Sequence, residues 1–427
     1  MATSTGQTLA QKILARAAGR ARVEPGEYLT VTPDYTACQE IAWPIRRKYM
    51  DDVGVDKVAR PDKLVMVVDH TTFAAKGSSY HRTHGEMAAY AAKNGVENFF
   101  GAGTGLRHLV LVERGFARPG LVVFSDEANV SSIGAVGALN VPVSWEVAVT
   151  TIGDSNWTQV PESARIHLSG RLARGVQVRD LVQAINRDHT TSGDLAQCCI
   201  EYAGPGIAAL SLDDRQALCA AAYHTGADTA LMPLDEVAIA FVQARAAGRP
   251  WYRDASDADA AYCFEAGYDL SALEPFVTLP PSMERVVPVR DAAGLRIDQA
   301  AIGSCAANRL DDLRAAAEVL RGRKIARHVT MYITPGSREV HAAAAREGLL
   351  EVFMDAGATV LAPGCSTCWG YEGALADKEV SITTHQHNYA GRNGSTSALV
   401  HLASPYVVAA SAVAGEIADP RPMLAGN

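Results

Sequence analysis

The sequence predicts an α/β protein of three domains with mostly parallel sheets. Short, continuous apolar runs are typical of strands that are buried on both faces of a parallel sheet. Such runs cover residues 63–69, 121–126 and 329–334. Alanine-rich stretches with a helical pattern lie between or after them, for example over 313–322 and 337–348. Strands that alternate with helices in this way indicate an α/β architecture.

The length and composition agree with several domains around a substantial core. A chain of 427 residues is longer than one ordinary domain. Its hydrophobic content of 48% and charged content of 20% are those of a globular protein. Breaks near residues 188–193 and 280–282 divide the chain into three predicted α/β domains. These domains cover residues 1–187, 188–285 and 286–427.

Charge and hydropathy argue against several classes of partner. The net charge is −8 and the sequence has no Lys/Arg-rich run, so we expect no nucleic acid as a partner. No apolar run approaches the roughly 18 residues of a membrane span, so we expect no membrane partner. Residues 11–22 alternate charge and alanine and lack the apolar centre of a signal peptide. We therefore expect a cytoplasmic protein with a surface helix near its N-terminus.

Three cysteines are the most informative feature of the sequence. Cys305 lies in Gly-Ser-Cys-Ala-Ala-Asn-Arg, and Cys365 and Cys368 form the CxxC pair of Pro-Gly-Cys-Ser-Thr-Cys-Trp-Gly. Thiolates are the usual ligands of iron–sulfur clusters, and three of them suit a cubane with one iron left open to a substrate. The adjacent Gly and Pro residues favour turns that present thiolates to a ligand.

The spacing of these cysteines leaves two other interpretations open. A zinc ion would need a fourth ligand, for which His385 and His387 are the nearby candidates. A disulfide between Cys365 and Cys368 is disfavoured in a chain without a secretory signal. The other five cysteines have apolar or helical surroundings and are interpreted as small buried hydrophobic residues. They are Cys38, Cys198, Cys199, Cys219 and Cys263.

Several longer motifs accompany the cysteines. The densest are Ile200-Glu-Tyr-Ala-Gly-Pro-Gly, Ala209-Leu-Ser-Leu-Asp-Asp-Arg, Tyr332-Ile-Thr-Pro-Gly-Ser-Arg-Glu-Val and Asn388-Tyr-Ala-Gly-Arg-Asn-Gly. In this order and at about these spacings, the sequence resembles the large subunit of isopropylmalate isomerase and its relatives in the aconitase superfamily. The resemblance covers nearly the whole chain, from about Leu29 to about Pro420.

The resemblance implies a fold, a cofactor and a class of reaction. It implies three α/β domains around a central [4Fe-4S] cluster that Cys305, Cys365 and Cys368 hold, with one open iron. It also implies a hydro-lyase, in which that iron binds a hydroxyl and a carboxylate of a small hydroxy acid. In the family, the base that removes the α-proton is a serine on a separate swivelling domain. A small subunit that carries this domain is therefore the expected partner.

The resemblance also assigns catalytic residues. Asp69 and His70 match a pair that lies beside the cluster and helps to move the hydroxyl proton. His108 matches a histidine that partners a carboxylate, and Asp126 matches that carboxylate, so the two are expected to pair. Glu201 matches an acidic residue near the open iron.

The expected substrate-binding residues include a departure from the family. Arg392 matches an arginine that binds a substrate carboxylate, a contact that suits a guanidinium group. A second such arginine is replaced by His387, and a serine by Glu127. These changes should weaken the binding of polycarboxylates, because a desolvated carboxylate needs a partner.

The sequence therefore predicts a hydro-lyase for a small hydroxy acid other than isopropylmalate or citrate. The alternative is a cluster-binding homologue without hydratase activity, which would serve as a sensor or scaffold. The loss of the family's Ser and His at Glu127 and Ala128 supports that alternative best. A zinc-bound structural homologue is a third possibility.

Overall fold

The computed structural model describes residues 6–72 and 78–425. Its helices and strands form three consecutive groups, each around one main sheet, and the first group also contains a two-stranded antiparallel sheet of Tyr28–Val31 and Asn156–Gln159. The elements of the first group are α1 (Leu9–Ala17), β1 (Tyr28–Val31), β2 (Tyr35–Gln39), α2 (Trp43–Asp52), β3 (Leu64–Val67), α3 (Ser78–Asn94), β4 (Phe99–Phe100), α4 (Arg107–Glu113), β5 (Val122–Ser125), β6 (Leu139–Pro142), α5 (Val147–Gly153) and β7 (Asn156–Gln159). Short 3₁₀ helices cover Ala128–Val136 and Ser144–Glu146.

The first sheet has the strand order β4-β3-β2-β5-β6, and all of its pairs are parallel. Strands β3 and β5, which the apolar runs predicted, are buried along their whole length. From β2 the chain proceeds first to one side of the sheet and later to the other. The carboxyl ends of β2, β3 and β5 therefore border the crevice where α/β sheets bind ligands.

The second group is built on a parallel sheet of four strands in the order β10-β9-β8-β11. Its elements are β8 (Glu162–Ser169), α6 (Val178–His189), β9 (Cys198–Ala203), α7 (Leu212–Ala220), β10 (Thr229–Leu231), α8 (Glu236–Ala246) and β11 (Phe264–Asp269). Short 3₁₀ helices cover Pro205–Ala209, Ala222–Thr225 and Leu270–Ala272. Its apolar residues share one core cluster with those of the first group.

The third group is built on a sheet of seven strands in the order β13-β12-β18-β17-β14-β15-β16. Its elements are β12 (Phe276–Thr278), β13 (Val286–Pro288), α9 (Val289–Ala292), β14 (Gln299–Ile302), α10 (Leu310–Leu320), β15 (Thr330–Ile333), α11 (Arg338–Arg346), α12 (Leu349–Ala356), β16 (Thr359–Val360), β17 (Val380–Thr383), β18 (Leu399–Ala403), α13 (Pro405–Ala414) and α14 (Arg421–Leu424). A 3₁₀ helix covers Ser366–Trp369. The pairs from β18 to β16 are parallel, and those of β12 are antiparallel.

The predicted α/β class with mostly parallel sheets is confirmed, while two of the sheets begin earlier in the chain than the predicted boundaries. Strand β8 lies before residue 188 but pairs with β9 and β11. Strand β12 lies before residue 286 but pairs with β18. The division after residues 187 and 285 therefore stays a prediction. The sheets themselves do not divide the chain at these positions.

The carboxyl ends of the first and third sheets meet. The backbone N–H of Cys365 donates to the backbone oxygen of Asp69 at 2.9 Å, and that of Leu106 donates to Gly336 at 2.8 Å. The first contact joins the loops after β3 and β16, and the second joins those after β4 and β15. Within the described ranges, no helix is long and apolar enough to cross a membrane.

Candidate active site

The three predicted cysteine ligands converge where these sheets meet. Cys305 follows β14, Cys365 follows β16, and Cys368 lies one helical turn further along the chain. The three side chains and Leu106 form one contact cluster, in which each cysteine is at most 3% exposed. Ser304 and Ser366, next to these cysteines, have φ angles of 70° and 48°. Such left-handed backbone is strained for a residue with a side chain and is typical of functional turns.

The sulfur geometry favours a cluster over a single zinc ion. All eight cysteines, which lie within the described ranges, are free thiols, so no disulfide joins Cys365 to Cys368. The three ligand sulfur atoms do not all lie within 4.8 Å of one another. Tetrahedral zinc, with Zn–S bonds of about 2.3 Å, would hold them about 3.8 Å apart. Cysteine thiolates are the usual ligands of iron–sulfur clusters, and a cubane spaces them more widely.

The histidines considered as a fourth zinc ligand are engaged elsewhere. The Nε2 atom of His385 lies 2.9 Å from the Thr367 hydroxyl, and its Nδ1 atom lies 3.2 Å from Asn393. The Nε2 atom of His387 lies 2.9 Å from the Tyr223 hydroxyl. Both imidazoles therefore already have polar partners within the protein.

The surroundings of Cys368 suit an anionic sulfur ligand. Its sulfur accepts hydrogen bonds from the Ser304 hydroxyl and from Nη2 of Arg392, each at 3.2 Å. The contact with Cys365 and the charge of Arg392 hold the pKa of the Cys368 thiol well below its usual 9.0, against the opposite effect of burial. A thiol held as thiolate in this way is ready to bind metal.

Glu40, which the sequence analysis missed, fixes the turn after β3. Its carboxylate accepts the backbone N–H groups of Asp69 at 3.0 Å and of His70 at 2.9 Å, and it also accepts that of Thr71. Glu40, Asp69 and His70 are the one group of three possible metal-ligating side chains within 4.8 Å among the described residues. Because Glu40 is occupied by N–H donors, this group is an internal hydrogen-bond network.

Asp69 orients His70 and also reaches the other site loops. One Asp69 oxygen lies 2.6 Å from Nδ1 of His70, and the other accepts the backbone N–H of Arg107 at 2.9 Å. The Nε2 atom of His70 faces the Glu127 carboxylate at 3.7 Å. Burial lowers the pKa of His70, but the charges of Asp69 and Glu127 outweigh burial and raise it well above 6.5. The imidazole is therefore protonated.

The expected pair of His108 and Asp126 does not form. Both Asp126 oxygens are bound by guanidinium groups, one from Arg46 and one from Arg107. The Nε2 atom of His108 has no hydrogen-bond partner among the described residues. Burial, and then the charge of Arg309, lowers the pKa of His108 to about 3, so this histidine is neutral. Two buried arginines, and not the imidazole of His108, therefore bind the Asp126 carboxylate.

Glu127 also belongs to this ion-pair network, and its side chain is more exposed than that of Arg107. Its carboxylate binds Nη2 of Arg107 at 2.5 Å and accepts from the Asn129 amide at 2.7 Å. Burial favours the neutral acid, but the charges of His70 and Arg107 hold the pKa of Glu127 below its usual range. Glu127 is therefore a carboxylate at neutral pH, and its side chain is 23% exposed.

Glu201 is not brought to this group. Its oxygens accept the Leu9 backbone N–H at 2.9 Å, the Ser256 hydroxyl at 2.5 Å and the Tyr262 hydroxyl at 2.8 Å. It lines a separate cleft of about 330 Å³ on the second sheet, with Arg165 and other residues. The expectation that Glu201 lies beside the open iron therefore disagrees with this arrangement, because the N-terminus of α1 and the loop before β11 hold its side chain.

The two expected substrate-binding residues do lie beside the cysteines. The Nε atom of Arg392 donates to the Cys368 carbonyl at 2.8 Å, and Nη1 donates to the Tyr389 hydroxyl at 3.1 Å. Burial and the charge of Arg392 lower the pKa of His387. His387 is thus a neutral imidazole at pH 7 and does not replace the positive charge of a guanidinium group.

Buried free cysteines and an Asp-His pair lie where the first and third sheets meet, an arrangement typical of the class of α/β enzymes with a buried catalytic centre. The family profile described as aconitase family (aconitate hydratase) matches residues 11–295 and 290–415. The chain belongs to the aconitase family, and it is a hydro-lyase of the aconitase type.

Similar proteins cover the whole length of the chain. The 3-isopropylmalate dehydratase large subunit 1 of Methanopyrus kandleri is 37% identical over 98% of this chain and 100% of its own length. The large subunit 2 of Rubrobacter xylanophilus is 38% identical over 97% of both chains. The crystal structure of holo aconitase X from Thermococcus kodakaraensis covers 88% of this chain and 89% of its own, with a TM-score of 0.51 and 13% identity. That structure supports the fold alone.

Proposed function

We propose that this chain is the large subunit of an iron–sulfur hydro-lyase that acts on a small hydroxy acid other than isopropylmalate or citrate. In this proposal Cys305, Cys365 and Cys368 hold a [4Fe-4S] cluster with one open iron. The observation that carries it is the convergence of three buried free thiols, spread too widely for one zinc ion, beside the protonated His70. We also place the enzyme in the cytoplasm, where thiols stay reduced.

When bound, the cluster supplies a Lewis acid that polarises the C–O bond of the substrate. The residues of this chain then transfer protons and position the substrate. Asp69 holds Nδ1 of His70, and Nε2–H, which faces Glu127, is the group that protonates the departing hydroxyl. Glu40 keeps the Asp69 turn rigid. Arg392, next to Cys368, is placed to bind the substrate carboxylate.

A small subunit completes the pocket in this proposal. The similar proteins of Methanopyrus kandleri and Rubrobacter xylanophilus are named as large subunits. Aromatic side chains beside the cysteines remain open to a partner, since Trp369 and Tyr389 are 43% and 46% exposed. We expect the base that removes the α-proton to come from that subunit.

The test is turnover of a panel of hydroxy acids under anaerobic conditions, followed by the ultraviolet absorbance of the new C=C bond. The chain is purified with its small subunit, and Cys365→Ser serves as the control without a cluster. Water elimination from one acid by the wild type, and by no variant that lacks iron, supports the proposal. Equal turnover by wild type and Cys365→Ser contradicts it.

A further inference from the structure

The arginines and the histidine on the Glu127 side of the site are held in ion pairs with carboxylates. Arg46 and Arg107 are each 1% exposed and are bound to Asp126, and Arg107 also binds Glu127. His70 lies between the carboxylates of Asp69 and Glu127. Of this ion-pair group, Glu127 has the most exposed side chain, so a substrate that enters here meets a negative charge.

The side of the site that His387 and Tyr223 form is uncharged. His387 is neutral and shares a hydrogen bond of 2.9 Å with Tyr223. Burial is the main cause that raises the pKa of Tyr223. The phenol therefore stays protonated. A second substrate carboxylate would find no positive charge on this side.

Arg392 is an arginine that stays available to a substrate. No carboxylate of the described residues pairs with it, and its hydrogen bonds go to Cys368 and Tyr389. Two other arginines without a carboxylate partner, Arg179 and Arg309, are 2% and 0% exposed and donate to backbone carbonyl groups. Besides the protonated His70, which the proposed reaction uses as its acid, the charges that the described residues offer to a substrate here are thus one guanidinium and one carboxylate.

We infer that the substrate is a 3-hydroxy acid with a single carboxylate, and that Glu127 sets this specificity by repelling a second one. The inference rests on the proposed hydro-lyase and names its substrate class. One carboxylate is sufficient for the reaction, because it acidifies the α C–H bond. That bond and the β C–O bond break, a C=C bond forms, and one molecule of water leaves without oxidation or reduction.

The test compares two acids that differ in one group, racemic 3-hydroxybutyrate and racemic malate. Their dissociation constants are measured by anaerobic calorimetry on the full chain together with its small subunit, after iron and sulfide reconstitution. We expect the wild type to prefer 3-hydroxybutyrate by about tenfold or more, the size of effect that one nearby charge produces. Glu127→Gln keeps the shape and removes the charge, so it should shift this preference towards malate by about tenfold or more.

The matched control is Glu97→Gln, which removes a carboxylate from an exposed position of the first group. It should leave the preference unchanged. Tighter binding of malate than of 3-hydroxybutyrate by the wild type overturns the inference and leaves the hydro-lyase intact, whether or not Glu127→Gln folds. An unchanged preference in folded Glu127→Gln also overturns it. Binding of neither acid by a protein that holds iron and sulfide overturns both the inference and the proposed substrate class.

Discussion

The substitution Asp69→Asn should separate proton transfer from cluster binding. Asp69 Oδ1 lies 2.6 Å from Nδ1 of His70, and both side chains are at most 5% exposed. At an effective dielectric constant of about 20, two unit charges at that distance attract by about 6 kcal/mol. Asparagine removes this attraction, so the pKa of His70 falls and its Nε2 no longer carries a proton at pH 7. Loss of a general acid lowers kcat by about 10²- to 10⁴-fold.

The cluster should survive this substitution. Cys365 donates to the backbone oxygen of Asp69, which the change of side chain leaves in place. The assay measures kcat against pH together with iron and sulfide content, and Asp62→Asn on the exposed surface is the matched control. The kcat of Asp69→Asn should recover partly at lower pH, where His70 is protonated again. A kcat within about threefold of the wild type at pH 7, with iron retained, would refute the role given to His70.

Three further changes test other parts of the structure. Cys365→Ser should remove most of the bound iron and sulfide, whereas the exposed Cys263→Ser should not; equal iron content in both would contradict the ligand assignment. Arg392→Ala should raise the KM of the hydroxy acid by about 10- to 100-fold, as expected for a charge-assisted hydrogen bond, and an unchanged KM would exclude it as the carboxylate anchor. Burial raises the pKa of Glu113 from 4.5 to about 7. The folded state therefore keeps a proton that the unfolded chain releases, so stability falls by about 3 kcal/mol as pH rises through this window. Thermal midpoints at about pH 5 and about pH 8 should differ less in Glu113→Gln, and an equal difference would contradict the assignment.

Much of the site is encoded locally in the sequence. Cys305 and the Asp69–His70 pair follow buried parallel strands, and Cys365 follows the short parallel edge strand β16. The turns after parallel strands meet in a crevice. Apolar runs of four or five residues are enough to place β3 and β5. The sequence could therefore predict the fold class and the position of the thiols without knowledge of long-range contacts.

The ion pairs were not predictable in the same way. Arg46 on α2 reaches Asp126 after β5, and nothing near Arg46 in the sequence marks it as a site residue. Arg107 stands next to His108, but only the packed structure shows that Arg107, and not the imidazole, takes the carboxylate. Glu40 carries one weak signal, its position directly after β2.

Two predictions differ from the observed arrangement because the pairing partners lie far away in the sequence. The motif around Glu201 is clear, yet its carboxylate is held by Leu9 and Ser256, which come from opposite ends of the first two groups. Strand β8 alternates between buried and exposed residues. A search for continuous apolar runs therefore misses it, and the predicted boundary after residue 187 stays a prediction that falls behind this strand.

The central claim is that Cys305, Cys365 and Cys368 hold an iron–sulfur cluster with one open iron. The most direct measurement is the iron, sulfide and zinc content after anaerobic reconstitution, combined with electron paramagnetic resonance of the reduced protein before and after addition of hydroxy acids. The account predicts about four irons and four sulfides per chain and a spectrum that shifts with one acid. Zinc in place of iron, or a cluster signal that no hydroxy acid changes when the small subunit is present, would contradict it.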